Sequence, residues 1–187
     1  MRKNWAALAL TGMLCLTTFA GTQTVSAETA DSAKQVDIVF THDTHSHLNT
    51  FTTIVDEAEK EVGGFARINT LIQEQKAKNP DTMVIDGGDF SMGTLIQTVF
   101  ETQAAEIRML GYMGCDVTTL GNHEFDYRSK GLANMLNSAA ESGDDLPAMV
   151  VCNVDWESME AAGLSEGQQL IRDAFLSLIH ISEPTRP

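Results

Sequence analysis

The chain has 187 residues, of which 26 are acidic and 12 are lysine or arginine, so its formal net charge is −14. This length is sufficient for one domain of ordinary size with a hydrophobic core. Binding to nucleic-acid backbones requires a basic face, and the sequence has no cluster of lysine and arginine, so the charge argues against nucleic acid as a partner but is compatible with binding of metal cations.

The N-terminus has the pattern of an export signal. Arg2 and Lys3 precede an apolar segment, 5–20, and small polar residues follow it. A basic start, an apolar run and a small-residue cleavage site are typical of secretory signals, and this run is too short and interrupted to span a membrane. We therefore expect 1–27 to be a signal peptide and 28–35 a disordered leader. The mature protein is expected to be secreted or held in the cell envelope, with no stable membrane span.

The first predicted strand, 36–40, runs directly into a cluster of polar residues. Asp43 and His45 are two positions apart, which places both side chains on one side of an extended segment. A carboxylate oxygen and an imidazole nitrogen together suit a divalent ion such as Mn, Fe, Co or Zn. Because His42 and His47 crowd the same place, we interpret the cluster as metal-binding, with a solvated polar turn as the alternative.

An amphipathic helix is predicted over 65–78. The acidic segment before it, 51–61, is predicted to be a solvated loop. Apolar residues then recur at helical spacing, and Asn79-Pro80 ends the helix. The residues expected to face the core are Phe65, Ile68, Leu71 and Ile72.

A second strand, 82–86, is followed by two glycines and Asp89. The glycines allow the backbone to pass close to whatever Asp89 binds. One carboxylate has two oxygens and can bridge two cations that lie about 3.5–4 Å apart. A mostly helical segment, 97–113, comes next, and the residues expected to pack on the sheet are Phe100, Ala104, Ile107 and Leu110.

A third apolar strand, 115–120, leads into the turn that carries Asn122 and His123. In open α/β sheets, ligands bind at this carboxyl end of the strands. An amide oxygen is a usable metal ligand, and the adjacent imidazole can act as an acid, a base or a phosphate donor. Asp126 can hold that imidazole in one tautomer and keep it protonated. The alternative is a simple turn with a helix cap.

The remaining elements complete an alternation of strands and helices. A helix over 129–142 is predicted to precede a fourth strand, 148–152. This alternation indicates an α/β fold with at least a partly parallel sheet flanked by helices. Cys115 and Cys152 lie in apolar, strand-like segments, so we expect buried free thiols, with a disulfide between them as the alternative. The inward residues of the last helix are expected to be Leu132, Met135, Leu136 and Ala139.

Three stretches, taken in order and spacing, resemble the calcineurin-like metallophosphoesterases. They are Asp43-Thr44-His45, Gly88-Asp89 and Gly121-Asn122-His123-Glu124. With Phe125-Asp126 and Asn153, they are similar to the catalytic domain of the exported bacterial 5′-nucleotidase/2′,3′-cyclic-nucleotide phosphodiesterase family. The resemblance covers 36–155 and implies the sandwich fold of that family, with a mixed or parallel sheet.

The resemblance also implies a site for two divalent metal ions, of Mn, Zn, Fe, Co or Mg. By position, Asp43 and His45 would hold the first ion, Asp89 would bridge both, and Asn122 would bind the second. The substrate that the resemblance implies is a small phosphate ester, with a nucleotide as the expected one. Arg67 is expected either near the phosphate or in a surface salt bridge.

The implied reaction is hydrolysis of the phosphate ester by a metal-bound hydroxide. In it, His123, oriented by Asp126, would donate to the phosphoryl oxygen or to the leaving group. Two cations would neutralise the phosphate and lower the pKa of the attacking water.

The chain departs from the family after Asn153. The resemblance implies further histidine ligands, one of them in a Gly-His-x-His stretch, whereas the only later histidine is His180. We therefore expect 36–175 to be the N-terminal part of a metallophosphoesterase domain, with the second half of its sandwich missing. Residues 176–187 change character abruptly and are expected to be a foreign or artefactual tail.

Two alternatives to a nucleotidase remain open at this point. One is a truncated, non-catalytic metal-binding fragment, and the other is a calcineurin-like esterase acting on sulfur esters or cell-envelope phosphates. Because missing ligands lower metal affinity steeply, we expect the 187-residue chain itself to be inactive.

Overall fold

The structure is a computed structural model that describes residues 36–177. The predicted signal peptide and leader, His180 and nearly all of the predicted tail lie outside these residues. Within 36–177, no helix combines the length and the apolar character that crossing a membrane requires.

The described chain begins with a strand and a hairpin, and strands and helices then alternate. The strands are β1 (Ile38–Thr41), β2 (Phe51–Val55), β3 (Ala58–Val62), β4 (Met83–Asp86), β5 (Val117–Thr118) and β6 (Ala148–Met149). The helices are α1 (Phe65–Lys78), α2 (Phe100–Gln103), α3 (Ala105–Tyr112), α4 (Arg128–Ser142), α5 (Trp156–Ala162) and α6 (Glu166–Ser177). Short 3₁₀ turns lie over Leu95–Val99 and His123–Phe125.

A four-stranded parallel sheet organises the fold, with its strands in the order β1-β4-β5-β6. Ile38 is in register with Met83, and Val117 is in register with both Ile85 and Ala148. The expected α/β class, with a parallel sheet flanked by helices, is confirmed. Because all four strands run the same way, their carboxyl ends meet at one edge.

The core lies on one face of this sheet. Val84 is buried there, whereas its neighbour Met83 and the paired Ile38 are exposed on the other face. Parallel crossovers are almost always right-handed, so a strand order that follows the chain order places the connecting helices on the same face. The inward residues predicted for α4 are all buried, namely Leu132, Met135, Leu136 and Ala139.

The prediction of a loop over 51–61 is wrong. β2 and β3 form an antiparallel hairpin, with Phe51 opposite Val62 and a turn at Asp56 and Glu57, which both have positive φ. Most residues of both strands are exposed, so the apolar–polar alternation of a half-buried strand is absent from the sequence. The β-branched run from Thr52 to Val55 was the available signal.

Two further expectations on helices need correction. The predicted helix over 97–113 is interrupted, because Ala104 adopts a left-handed conformation with φ 46° and separates α2 from α3. Leu71 of α1 is exposed rather than in the core, whereas Phe65 and Ile72 are buried as expected.

The two thiols of the described chain differ in environment. Cys115 is buried, as expected, and burial raises the pKa of its thiol to about 12. Cys152 is exposed, contrary to expectation, because β6 ends at Met149 and the chain has already left the sheet. Both thiols are free, so the alternative of a disulfide between them is not what the structure contains.

Candidate metal centre

Two loops at the carboxyl edge of the sheet run side by side and carry three candidate ligands. The Asp43 amide donates to the Gly88 carbonyl at 3.0 Å, and the His45 amide donates to the Asp89 carbonyl at 3.1 Å. These bonds extend the pairing of β1 with β4 beyond the strands themselves. One ligand atom each from Asp43, His45 and Asp89 lies within 4.8 Å of the others.

The ligand-bearing backbone is not extended, so the geometric argument from alternating side chains was wrong. Asp43, His45 and Asp89 have φ values of 51°, 44° and 52°. A left-handed conformation costs a non-glycine residue about 1–2 kcal/mol. Such strain persists only where the surroundings over-determine the conformation, and it clusters at functional sites.

The imidazole of His45 is held in one tautomer. Its Nδ1–H donates to the Ser91 carbonyl at 3.1 Å, so in the neutral ring Nε2 is the nitrogen that carries the lone pair. Nε2 lies 3.5 Å from Asp43 Oδ1. A backbone carbonyl that orients a histidine in this way is the usual support of a metal-binding imidazole.

The other two histidines of the first cluster do not join this group. His42 donates from Nδ1 to Asp43, and this hydrogen bond is the main cause that lowers the pKa of the Asp43 carboxyl. Asp43 therefore stays ionised and available to a cation. The Nδ1–H of His47 instead donates to the Thr44 carbonyl at 3.2 Å, and its ring lies 5.4 Å from the ring of Phe51.

The loop that carries Asp89 and the turn after β5 approach each other so closely that each needs a glycine, Gly88 in the loop and Gly121 in the turn. A Cβ on Gly121 would lie 2.1 Å from Asp89 Oδ1, and a Cβ on Gly88 would lie 2.5 Å from the Gly121 nitrogen. The His123 amide also donates to Asp89 Oδ1, at 2.9 Å. The turn after β5 therefore sits directly against the Asp89 carboxylate.

A buried carboxylate, Glu124, joins the two loops, and the sequence analysis assigned it no role. Its Oε2 accepts from the amides of Asp89 and Gly121 at 3.0 and 2.7 Å. Its Oε1 accepts from the amide and hydroxyl of Ser91 at 3.0 and 2.8 Å. Four donors thus converge on one side chain. The sequence offered one sign of this role: Glu124 is a charged residue between His123 and Phe125, in the turn that follows β5.

His123 and Asp126 form the pair that the sequence predicted. The Nδ1–H of His123 donates to Asp126 Oδ2 at 2.7 Å, and this hydrogen bond is the main cause that raises the pKa of the imidazole. The ring of His123 meets the ring of His45 edge-on, at 5.0 Å between centroids. Asn122 lies beside Asp89: with its amide oriented to donate, the nitrogen is 3.2 Å from Asp89 Oδ2.

The side chains that converge here fit a divalent cation. Two carboxylates and an imidazole with a free Nε2 are donors that Mn, Fe, Co and Zn accept, and their atoms are close enough to share an ion. Asn122 lies beside this group, with its amide nitrogen toward Asp89 Oδ2 and its oxygen 3.3 Å from the His123 nitrogen. Arg67 is not part of this group, since it forms an exposed ion pair with Glu61 at 3.1 Å.

A parallel α/β sheet with candidate metal ligands at the carboxyl ends of its strands is the arrangement of a class of metal-dependent α/β proteins. Within that class, residues 36–173 match the calcineurin-like phosphoesterase family, and the chain belongs to this family. Its members are hydrolases that use divalent metals.

The relatives of the chain include 5′-nucleotidases. It is 34% identical to the mouse (Mus musculus) 5′-nucleotidase over 110 residues, which cover 57% of this chain and 19% of that protein. It is 30% identical to the NAD 5′-nucleotidase of Haemophilus influenzae over 114 residues, which cover 59% and 19%. The crystal structure of the 5′-nucleotidase precursor from Thermus thermophilus matches with a TM-score of 0.54 and 30% identity, covering 63% of this chain and 22% of that one. The match thus spans about a fifth of each relative.

Proposed function

We propose that the site hydrolyses phosphate esters, most specifically nucleotides, in the manner of a 5′-nucleotidase. The observation that supports this most strongly is the convergence of Asp43, His45 and Asp89 within 4.8 Å at the carboxyl edge of the sheet. The 5′-nucleotidase relatives supply the substrate class. Asp43, His45, Asp89 and Asn122 would hold two divalent ions.

Each side chain has a physical part in this proposal. Bound divalent ions supply charge neutralisation of the phosphate and a lowered pKa for water. Asp126 raises the pKa of His123, and the protonated ring has an Nε2–H to donate to a phosphoryl oxygen or to the departing oxygen. Glu124 fixes the separation of the two loops that carry these groups.

A second candidate is a metal-binding module without turnover. Among residues 36–177, the side chains that converge on the site are two carboxylates, one imidazole and the Asn122 amide. Two cations that each take four or more ligands would need water, substrate oxygens or further side chains to complete their coordination. On this ground we propose that the 187-residue chain binds metal but turns over phosphate esters poorly. Export through residues 1–27 remains part of the proposal, on the evidence of the sequence pattern alone.

The test is a comparison of the chain with Asp89→Asn in calorimetric titration with Mn²⁺ and in release of inorganic phosphate from adenosine monophosphate. Asp89→Asn removes the charge at the centre of the group and is expected to weaken Mn²⁺ binding at least about tenfold. Asp81→Asn is the matched control, because exposed Asp81 precedes β4 and lies at the opposite edge of the sheet.

The outcomes separate the candidates. Repeated turnover of the nucleotide in Mn²⁺, lost in Asp89→Asn, supports the nucleotidase, whereas binding without phosphate release supports the metal-binding module. Hydrolysis of a phosphodiester such as bis(p-nitrophenyl) phosphate, without release from the nucleotide, would point to a different esterase. Mn²⁺ affinity and phosphate release that survive Asp89→Asn unchanged would overturn the metal centre.

A further inference from the structure

We propose that Glu106 is a positioning residue for the metal centre, which holds the ligand-bearing segment after β1 in place through Ser46. The inference rests on the proposed function, because that segment carries Asp43 and His45. Glu106 itself lies on α3, and within the described residues it makes no hydrogen bond to a candidate ligand.

Ser46 is the anchor of the segment, directly after His45. It is fully buried, and its hydroxyl donates to Glu106 Oε1 at 2.7 Å. Its amide donates to the Phe90 carbonyl at 2.8 Å, and its carbonyl accepts from the Thr94 hydroxyl at 2.7 Å. The backbone bonds fix Ser46 to the loop after β4, and the Glu106 bond fixes it to a helix of the core.

The segment needs such an anchor because its backbone is strained. His45 and Ser46 are consecutive left-handed residues, with φ values of 44° and 54°. Both conformations are disfavoured for a residue that carries a Cβ. If the hold on Ser46 is released, both residues can relax toward the favoured region, and relaxation at His45 moves its imidazole away from Asp43 and Asp89.

Packing alone does not explain a glutamate at this place. Glu106 is fully buried beside the apolar Ile107 and Leu110, and burial raises the pKa of its carboxyl. Within the described residues, Oε2 has no hydrogen-bond partner. A buried, half-satisfied carboxyl costs stability that an apolar side chain of similar size would not cost. In the described part of the chain, the bond to Ser46 is the hydrogen bond that this side chain makes to another residue, and we infer that it is the reason for a glutamate here.

Four variants of the chain test this role. Glu106→Leu and Ser46→Ala remove the bond from either side, whereas Glu106→Gln keeps an acceptor oxygen for the Ser46 hydroxyl. Ile107→Ala is the matched control. Ile107 is the next residue of α3 and is also buried, but its side chain has no polar atom that could hydrogen-bond to Ser46. It creates a cavity and lowers stability without touching the anchor.

Two readouts are needed, and one of them is independent of metal. The rate of amide hydrogen exchange at His45 and Ser46 measures local opening of the segment, and the rate in α4 measures global unfolding. Glu106→Leu and Ser46→Ala are expected to speed exchange at His45 and Ser46 beyond the change seen in α4, and to weaken Mn²⁺ binding about tenfold or more in calorimetry. Glu106→Gln should restore both, and Ile107→Ala should show no selective effect at the segment.

For each variant, the rate of amide exchange at His45 and Ser46 is divided by the rate in α4. The inference is overturned if this ratio is no higher in Ser46→Ala and Glu106→Leu than in Ile107→Ala. Should Glu106→Leu fail to fold, Ser46→Ala gives the same answer, since it deletes only a hydroxyl. A wild-type chain that binds no Mn²⁺ would reject the proposed metal centre, while the exchange data would still decide whether Glu106 positions the segment.

Discussion

The charge of His123 depends mainly on the neighbouring Asp126 carboxylate, with smaller contributions from Asp89 and Glu124. The hydrogen bond from Nδ1 to Asp126 raises the pKa of the imidazole, so the ring stays protonated to a higher pH than an ordinary histidine. A raised pKa also means that the pair contributes stability fully below the ordinary histidine pKa and loses it as the pH rises through the folded-state value. The proton on Nε2 that the proposed reaction needs is lost over the same range.

Asp126→Asn is therefore expected to lower the pKa of His123, because the amide cannot stabilise the imidazolium as a carboxylate does. NMR titration of the His123 ring protons measures this directly. Asp81→Asn, at the other edge of the sheet, should leave the titration of His123 unchanged. A His123 pKa that stays raised in Asp126→Asn would show that other groups hold the proton.

At the scale of single residues, the sequence predicted which side chains converge but not how the backbone presents them. Asp43, His45 and Asp89 were chosen from their chemistry and their places after strands, and the structure brings them together. Their left-handed conformations were not predictable, because hydrogen bonds to another loop stabilise them. Glu124 was missed for a similar reason, since its role depends on donors 35 and 33 residues away along the chain.

At the scale of secondary-structure elements, Glu124 joins the turn over His123–Phe125 to the loop after β4. All four hydrogen bonds to its carboxylate are donated by groups of Asp89, Ser91 and Gly121, and both oxygens are used. An amide at this place has only one acceptor oxygen, so its NH₂ group would face either the N–H groups of Asp89 and Gly121 or the N–H group of Ser91, and at least one buried N–H would lose its acceptor. Glutamine therefore cannot replace the glutamate without leaving donors unpaired.

Glu124→Gln is expected to lower the free energy of unfolding by about 1–3 kcal/mol, the cost of unsatisfied buried donors. Urea denaturation followed by circular dichroism measures the loss, and the two loops should show faster amide exchange than α4. Glu141→Gln is the control, because Glu141 is exposed on α4 and its substitution should change stability little. Equal stability of both variants would mean that Glu124 does not hold the loops together.

Regular elements with one buried face were predictable, and elements without one were not. α1 and α4 begin and end within a residue of the predicted bounds, because their apolar residues repeat at helical spacing. The β2–β3 hairpin has no buried face and was taken for a loop. The break at Ala104 was also missed, since alanine favours helix and only the tertiary packing imposes its positive φ.

At the scale of the whole molecule, the sheet has one covered face and one open face. Alternation of strands and helices in the sequence predicted the α/β class, but strand order is set by pairing between distant segments and was not predictable. That order leaves Ile38, Phe40 and Met83 exposed on the face away from the helices. Parallel sheets are normally covered on both faces, so this open face is an apolar surface that the described residues do not bury.

Threonine substitutions on the two faces should therefore differ in their effect on the free energy of unfolding. Ile38→Thr keeps a β-branched residue on the open face, where 56% of Ile38 is exposed, and is expected to change the free energy of unfolding by no more than about 0.5 kcal/mol. It should also reduce binding of the dye 1-anilinonaphthalene-8-sulfonate. Val84→Thr, on the covered face of the paired strand, buries a hydroxyl and should cost about 1–3 kcal/mol. Urea unfolding of both variants measures the difference, and a loss at Ile38→Thr as large as that at Val84→Thr would show that the open face is covered in solution.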